Sequence, residues 1–255
     1  MPNFEHVRAE LMRPEQIRDA LAIKSVAYIP IGATEFHQEH LPIGLDTLNA
    51  QGLTCMTASR TGGIVLPPLY VGTGGGHKSY PWTIMMEDSK EIRAILENTL
   101  RRLEIFEIEL AVIFSGHFAP EQLDLIESIS KDWNSSGNKM KVLALSINME
   151  IRDSMAPDHA GIFETTVLSY FHPESVDISA LPDAQEFPLE DIDEDVYVKN
   201  KKSGSIYTVK KANPEIHTSL SKGEIEKVEK EKGKATDDAL KLIVKISEGS
   251  VRDAL

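Results

Sequence analysis

The chain has a single cysteine, Cys55, among 255 residues. No disulfide can form within it, which fits a reducing compartment. Cys55 lies in Gly52-Leu-Thr-Cys-Met-Thr-Ala58, a helical segment where it reads as a small buried hydrophobe rather than a nucleophile. Long apolar runs are also lacking. No stretch approaches the roughly 20 residues of a membrane span, and Met1 to Glu10 has no apolar core of signal-peptide length. A cytoplasmic protein without a membrane partner is expected. Basic charge is scarce: 27 Lys and Arg stand against 40 Asp and Glu, a formal net charge of -13. Such a chain repels phosphate backbones, so nucleic acid is excluded as a partner. Three motifs are missing as well. No Gly-x-Gly-x-x-Gly follows the first strand, no Gly-Lys-Ser/Thr closes the glycine-rich loop at 72–76, and Ser115 has no Gly-x-Ser-x-Gly elbow. A Rossmann dinucleotide site, a phosphate loop and a serine triad are therefore not supported.

What is present is an alternation of short apolar runs with helical patterns. Ser25 to Ile31, Ile64 to Leu66, Leu110 to Phe114 and Val142 to Ile147 read as buried strands. Between them, Asp46 to Arg60 has helical spacing. Asp88 opens a helix as N-cap, with the stripe Ile92, Ile95, Leu96, Leu100 and Leu103. Pro120 sits at the start of another helix, whose face carries Leu123, Ile126, Ile129 and Trp133. Gly161 to Phe171 is a further helix, and Ser221 to Ser247 a charged amphipathic one or two. Residues 182–215 read as a long surface excursion with a hairpin around Ser203-Gly204. This order argues for one α/β domain over residues 1–255, three-layer α/β/α, with a mostly parallel central sheet. Ligands in such sheets bind beyond the carboxyl ends of the strands.

Each strand end carries chemistry. After the first come Glu35, His37, His40 and Asp46. Glu35 and His37 are two residues apart, so in an extended loop both point the same way. Asp46 alone could be a helix N-cap, but with the other three it forms a metal-ligand set. The second is followed by three glycines and His77, a loop that is either flexible or a substrate loop. His117 comes directly after the third strand and Gly116. The fourth is followed by His159 and Glu164. A glutamate in a first helical turn suits the helix dipole, yet a buried one needs a partner that a metal would supply. Several carboxylates and imidazoles, with one carboxylate bridging, are about what two divalent cations require.

Pro30-Ile-Gly-Ala-Thr-Glu35-Phe-His37-Gln-Glu-His40-Leu-Pro-Ile-Gly-Leu-Asp46 resembles the first signature of the creatininase (creatinine amidohydrolase) family. Ser115-Gly116-His117 resembles the family's Asn-Gly-His element, and His159 to Thr165 its His-Ala-Gly-x-x-Glu-Thr element. The His77 loop with Tyr80-Pro81-Trp82-Thr83, and Glu231 to Lys234, extend the likeness over nearly the whole chain. The resemblance implies metal ligands Glu35, His37, Asp46, His117 and Glu164, with Asp46 bridging two divalent ions, zinc first, manganese or iron otherwise. It implies His159 as proton shuttle to the leaving nitrogen, His40 and His77 as substrate-orienting residues, and a homo-oligomer, in the family often a hexamer. Two departures bear on the substrate. Creatininase proper has a glutamate two residues after the strand-end histidine, where this chain has Ala119. It also closes over creatinine with late tryptophans, and this chain has no Trp after Trp133. The expectation is a metal-dependent hydrolase of a C–N bond, a cyclic amide or formamide, in a small molecule. Formamide deformylases and a modified-peptide peptidase of the same family are alternatives, as is a non-catalytic metal or ligand binder.

Overall fold

Val26-Ala-Tyr-Ile-Pro-Ile31 and Leu110-Ala-Val-Ile-Phe-Ser115 are almost wholly apolar, as strands covered on both faces must be. They form β1 (Val26–Ile31) and β5 (Leu110–Ser115), paired in parallel along their full length. The computed structural model describes residues 4–75, 82–148 and 159–180, with the backbone alone of residues 196–199 and 206–209. Within these, α1 (Pro14–Ile23) precedes β1. Then follow α2 (Leu45–Thr61), β2 (Ile64–Val65), β3 (Gly72–Thr73), β4 (Met85–Met86) and α3 (Ser89–Ile105). After β5 come α4 (Pro120–Ser135), β6 (Lys141–Ser146) and α5 (Ile162–Phe171). β7 (Val196–Lys199) and β8 (Ile206–Val209) pair antiparallel and flank the expected hairpin turn. The predicted helix at 221–247 lies outside the described residues.

The main sheet is parallel throughout, in the order β2-β1-β5-β6. Alternate residues of its strands serve opposite layers. Ala27, Ile29, Ile31, Ala111 and Ile113 pack against Ile92, Leu96 and Leu100 of α3 and Leu125, Ile126 and Ile129 of α4. On the other face, Tyr28, Val112 and Phe114 meet α2 and α5 through Cys55, Ala58, Leu53, Phe163 and Val167. This is the expected three-layer α/β/α arrangement. Cys55 is buried, and burial pushes its thiol up to about 12, which suits a packing role. Ile95 departs from the predicted stripe, being 40% exposed. At about 100° per residue it lies roughly 100° from the centre of the arc shared by Ile92, Leu96, Leu100 and Leu103.

The strand order places the site. From β1 the chain crosses through α2 to β2 on one side. It later returns through α3 to β5 on the other side of β1. The β1–β5 boundary is thus a topological switch point, where loops leave in opposite directions and open a crevice. Asp88 accepts from the Lys90 N–H at 2.9 Å and caps α3 as expected.

Candidate metal centre

Two glycines bring α2 onto the carboxyl edge of the sheet. A Cβ on Gly116 would lie 1.9 Å from the backbone oxygen of Asp46, and one on Gly32 2.3 Å from the Thr47 nitrogen. Only glycine allows the first turn of α2 to sit against the ends of β1 and β5. Gln122, fully buried on α4, secures this corner. Its amide donates to the Gly32 carbonyl and to Ser115 Oγ, and its Oε1 accepts from the Thr73 N–H. The loop after β1 is closed on itself by Glu35 N–H to Ile43 O at 2.8 Å. It is tied to the β4 side by Ile84 N–H to Thr34 O, and by Phe36 N–H to Thr83 Oγ1 at 3.0 Å.

These constraints bring the five sequence-derived ligand candidates together. Gly44 caps α2, so Asp46 is no N-cap. It stands inside the first turn, 1% exposed. Asp46 Oδ1 lies 3.2 Å from His37 Nε2, and Asp46 Oδ2 lies 3.2 Å from His117 Nδ1. His117 Nδ1 is also 3.0 Å from Glu35 Oε2, and His37 Nε2 is 3.6 Å from Glu164 Oε2. Three clusters result among the described residues: Glu35/Asp46/His117, His37/Asp46/Glu164, and Glu35/His37/His159 with His159 only half-buried. In each, one ligand atom per residue lies within 4.8 Å of the others. Asp46 belongs to the two that are fully buried.

Several features suit a pair of cations. His37 Nδ1 is 3.0 Å from the Glu35 carbonyl. A carbonyl only accepts, so Nδ1 carries a proton and Nε2 is the nitrogen turned to the carboxylates, the usual orientation of a ligating histidine. His37 Nε2 and Asp46 Oδ2 are buried, yet among the described residues neither completes a hydrogen bond despite neighbours within 3.6 Å. Atoms that converge without satisfying one another are what a cation between them would satisfy. Glu164 Oε2 is held by the Ala160 N–H at 2.6 Å, with Ala160 in the left-handed region at φ 54°. Mixed nitrogen and carboxylate donors suit zinc, manganese or iron.

The metal-free electrostatics are strongly coupled. Burial alone would depress His37, but Asp46, Glu164 and Glu35 outweigh it and raise its pKa to about 10. Burial likewise opposes charge on His117, and the carboxylates of Asp46 and Glu35 overcome it, holding it well above its ordinary value. Asp46 would be raised by burial, but His37 and His117 bring it down to about 2. Without a metal, the imidazolium groups of His37 and His117 offset the buried carboxylate charge in part.

The remaining candidates fall differently. His159 stacks on His37 with ring centroids 4.4 Å apart, and its Nε2 donates to the Phe36 carbonyl at 3.1 Å. His77 lies outside the described residues. His40, expected to orient substrate, is instead 1% exposed with its Nε2 engaged 3.0 Å from Thr165 Oγ1. Burial, then the charge of His37, lower it to about 4, so it is neutral at pH 7. Of the three glycines, Gly75 is in place beside the site. A Cβ there would lie 3.6 Å from His117 Cε1 and 3.7 Å from Glu35 Oε1, so this backbone forms one wall of the centre. Ala119 caps α4 and offers no donor atom. Thr165, Asn49 and Gln122 support the centre without having been singled out from the sequence. Asn49 Nδ2 donates to the Glu164 carbonyl at 3.4 Å. Each is a polar residue at a position whose helical pattern is compatible with the core, and only that conflict marks it.

A family model described as creatinine amidohydrolase matches residues 10–244. The chain belongs to the creatininase family. Creatinine amidohydrolase of Pseudomonas putida is 24% identical over 180 residues, covering 62% of this chain and 68% of that protein. The mycofactocin precursor peptide peptidase of Mycolicibacterium smegmatis is 25% identical over 181 residues, covering 64% and 65%. A crystal structure of creatinine amidohydrolase superposes with a TM-score of 0.71 at 20% identity, covering 95% of this chain and 97% of that one. Solved creatininases of the same fold include a manganese form and a Zn–Zn form. The family is one of hydrolases, and the α/β fold read from the sequence is the fold these structures share. Among the described residues, no helix is long and apolar enough to cross a membrane.

Proposed function

We propose that this protein hydrolyses a C–N amide bond in a small molecule, using two divalent metal ions held by Glu35, Asp46 and His117 on one side and His37, Asp46 and Glu164 on the other. The observation that carries the reading is Asp46, whose two carboxylate oxygens face two different histidines at 3.2 Å each. Zinc is the first choice, with manganese or iron as alternatives. Bound there, such ions would supply Lewis acidity, activating water and polarising a carbonyl.

The chain's own residues supply the rest. Glu35, Asp46 and Glu164 place three carboxyl groups in a buried cluster, and no Lys or Arg is buried among the described residues. The Gly75 backbone borders the Glu35/His117 side, where an added Cβ would touch His117, Ala119 and Glu35. The leaving nitrogen must be protonated, because an amide anion is a very poor leaving group. His159 is the residue for this. Its Nε2 proton is committed to the Phe36 carbonyl, so proton exchange occurs at Nδ1. The likeness to a peptidase of a modified peptide keeps a peptide amide as the second substrate reading. A single domain over residues 1–255, a homo-oligomer and a cytoplasmic location complete the proposal.

The test is metal content by plasma mass spectrometry on protein purified without chelator, wild type beside Asp46→Ala. About two metals per chain, largely lost in the variant, support the reading and justify assays on cyclic amides, formamides and short peptides. A wild type that takes up no zinc or manganese after reconstitution removes it.

A further inference from the structure

Four of the five proposed ligands are located by the sheet and the loop that leaves it. Glu35, His37 and Asp46 share the segment from β1 to α2, and His117 follows β5, which is in full register with β1. Glu164 differs. It stands on α5, a helix that enters no sheet ladder and must be placed by packing alone.

Two kinds of contact place it. Leu41 and Leu45 from the ligand loop and α2 form a buried cluster with Ala160 and Leu168. Apolar contacts of this kind fix a separation but tolerate sliding and rotation, because they are not directional. Directional contacts come from Asn49, whose Nδ2 reaches the Glu164 carbonyl at 3.4 Å, and at closer range from His40. Its Nε2 lies 3.0 Å from Thr165 Oγ1, in the turn of α5 that carries Glu164. Its backbone carbonyl accepts from the Asp177 N–H at 3.0 Å, beyond the far end of the same helix. His40 is 1% exposed and Thr165 fully buried, so no water substitutes for their bond. The other ring nitrogen, Nδ1, is buried without a hydrogen-bond partner among the described residues. With Nδ1 lacking an acceptor, the tautomer protonated on Nε2 avoids an orphaned donor, and His40 then donates to the threonine.

We propose that His40 is a positioning residue: by bonding Thr165 it sets the rotation of α5, and so places the Glu164 carboxylate opposite His37 and Asp46. Its effect is confined to the His37/Asp46/Glu164 half of the centre, because no residue of the Glu35/Asp46/His117 half rides on α5. The inference rests on the two-metal reading and assigns His40 to the protein's framework rather than to its substrate.

The experiment is a zinc titration of chelator-stripped protein against a chromophoric competitor, for wild type, His40→Leu, Thr165→Val, the double variant and His40→Gln. Thermal melts of the metal-free forms run in parallel. Wild type should bind two ions. His40→Leu and Thr165→Val should each weaken one site by about 10–100-fold, the range for loss of a partner that orients a ligand, and leave the other unchanged. The double variant should be no worse than the poorer single, since both remove one bond. His40→Gln, which keeps a donor able to reach Thr165, should recover most of the loss. Thr165→Val is nearly isosteric and keeps the test alive if His40→Leu does not fold. Two sites weakened equally, additive losses, or a wild-type titration in every variant would each overturn the inference while leaving the two-metal reading intact. A wild type that binds no zinc would remove both.

Discussion

Substituting Gly116 by alanine tests the idea that the centre exists because α2 is pressed onto the sheet edge. The added methyl would lie 1.9 Å from the Asp46 carbonyl oxygen, 2.7 Å from its carbonyl carbon and 3.2 Å from its Cα. Carbon–oxygen contacts settle at about 3.3–3.6 Å, so the start of α2 must retreat by about 1.5 Å. All the atoms in conflict are backbone, and no side chain can swing away to absorb the strain. Overpacking of this kind costs about 1–3 kcal/mol, or roughly 2–4 °C of Tm per kcal/mol in a chain of this size. The functional cost is larger. A displacement of about 1 Å at a catalytic group can cost on the order of 100-fold in rate, and here the displaced residue is the one shared by both proposed metal positions. Gly137→Ala is the control. It lies at φ 77° with nothing within 4 Å of the added methyl, so it carries a backbone penalty of about 1–2 kcal/mol far from the site. Metal content, Tm and turnover would be measured for both. The expected result is similar destabilisation, with metal and activity lost only in Gly116→Ala. If Gly116→Ala keeps two metals and wild-type turnover, the close approach of helix and sheet is not what builds the centre.

Other predictions concern the site and the core. His159→Gln should lower turnover by about 100- to 10,000-fold, the usual worth of a general acid or base, with metal content unchanged; lost metal would instead make His159 a ligand. The metal-free protein should have a characteristic pH profile. His37 has a folded pKa of about 10 against 6.5, so its stabilisation is complete below pH 6.5 and disappears as pH rises towards 10. Asp46, at about 2 against 3.8, contributes above pH 3.8 and is lost as pH falls towards 2. His40, at about 4 against 6.5, takes up its proton more readily when unfolded and so costs stability as pH falls below 6.5; the Tm of chelator-treated protein should therefore peak near pH 6.5 and decline on both sides, and a flat Tm from pH 6.5 to 9.5 would contradict the assignment. In the core, Leu96→Ala should cost about 2–5 kcal/mol by denaturant unfolding, because Leu96 is fully buried between α3 and the sheet.

Much of this molecule is determined by local pattern. Apolar runs three to seven residues long read as strands covered on both faces, and the helical stripes between them argue for a parallel sheet with helices on either side. The strand-end rule then locates the chemistry, because Glu35, His37, Asp46, His117 and Glu164 all follow strands or open the next helix. Tertiary structure decided how those five are divided. Glu35 and His37 are two residues apart, yet Glu35 reaches His117 at 3.0 Å while His37 reaches Asp46 at 3.2 Å and Glu164 at 3.6 Å. Asp46 could have been a helix cap until Gly44 was seen in that position and its two oxygens were seen to face two histidines. His40 carries the same signals as its neighbour His37, but the docking of α5 turns it towards Thr165. Gly32 and Gly116 are two glycines among sixteen until the approach of α2 shows why no side chain fits there. The physical reason is the same in each case. Periodicity and propensity act over a few residues and set the elements, whereas which atoms converge depends on contacts between segments far apart in the chain.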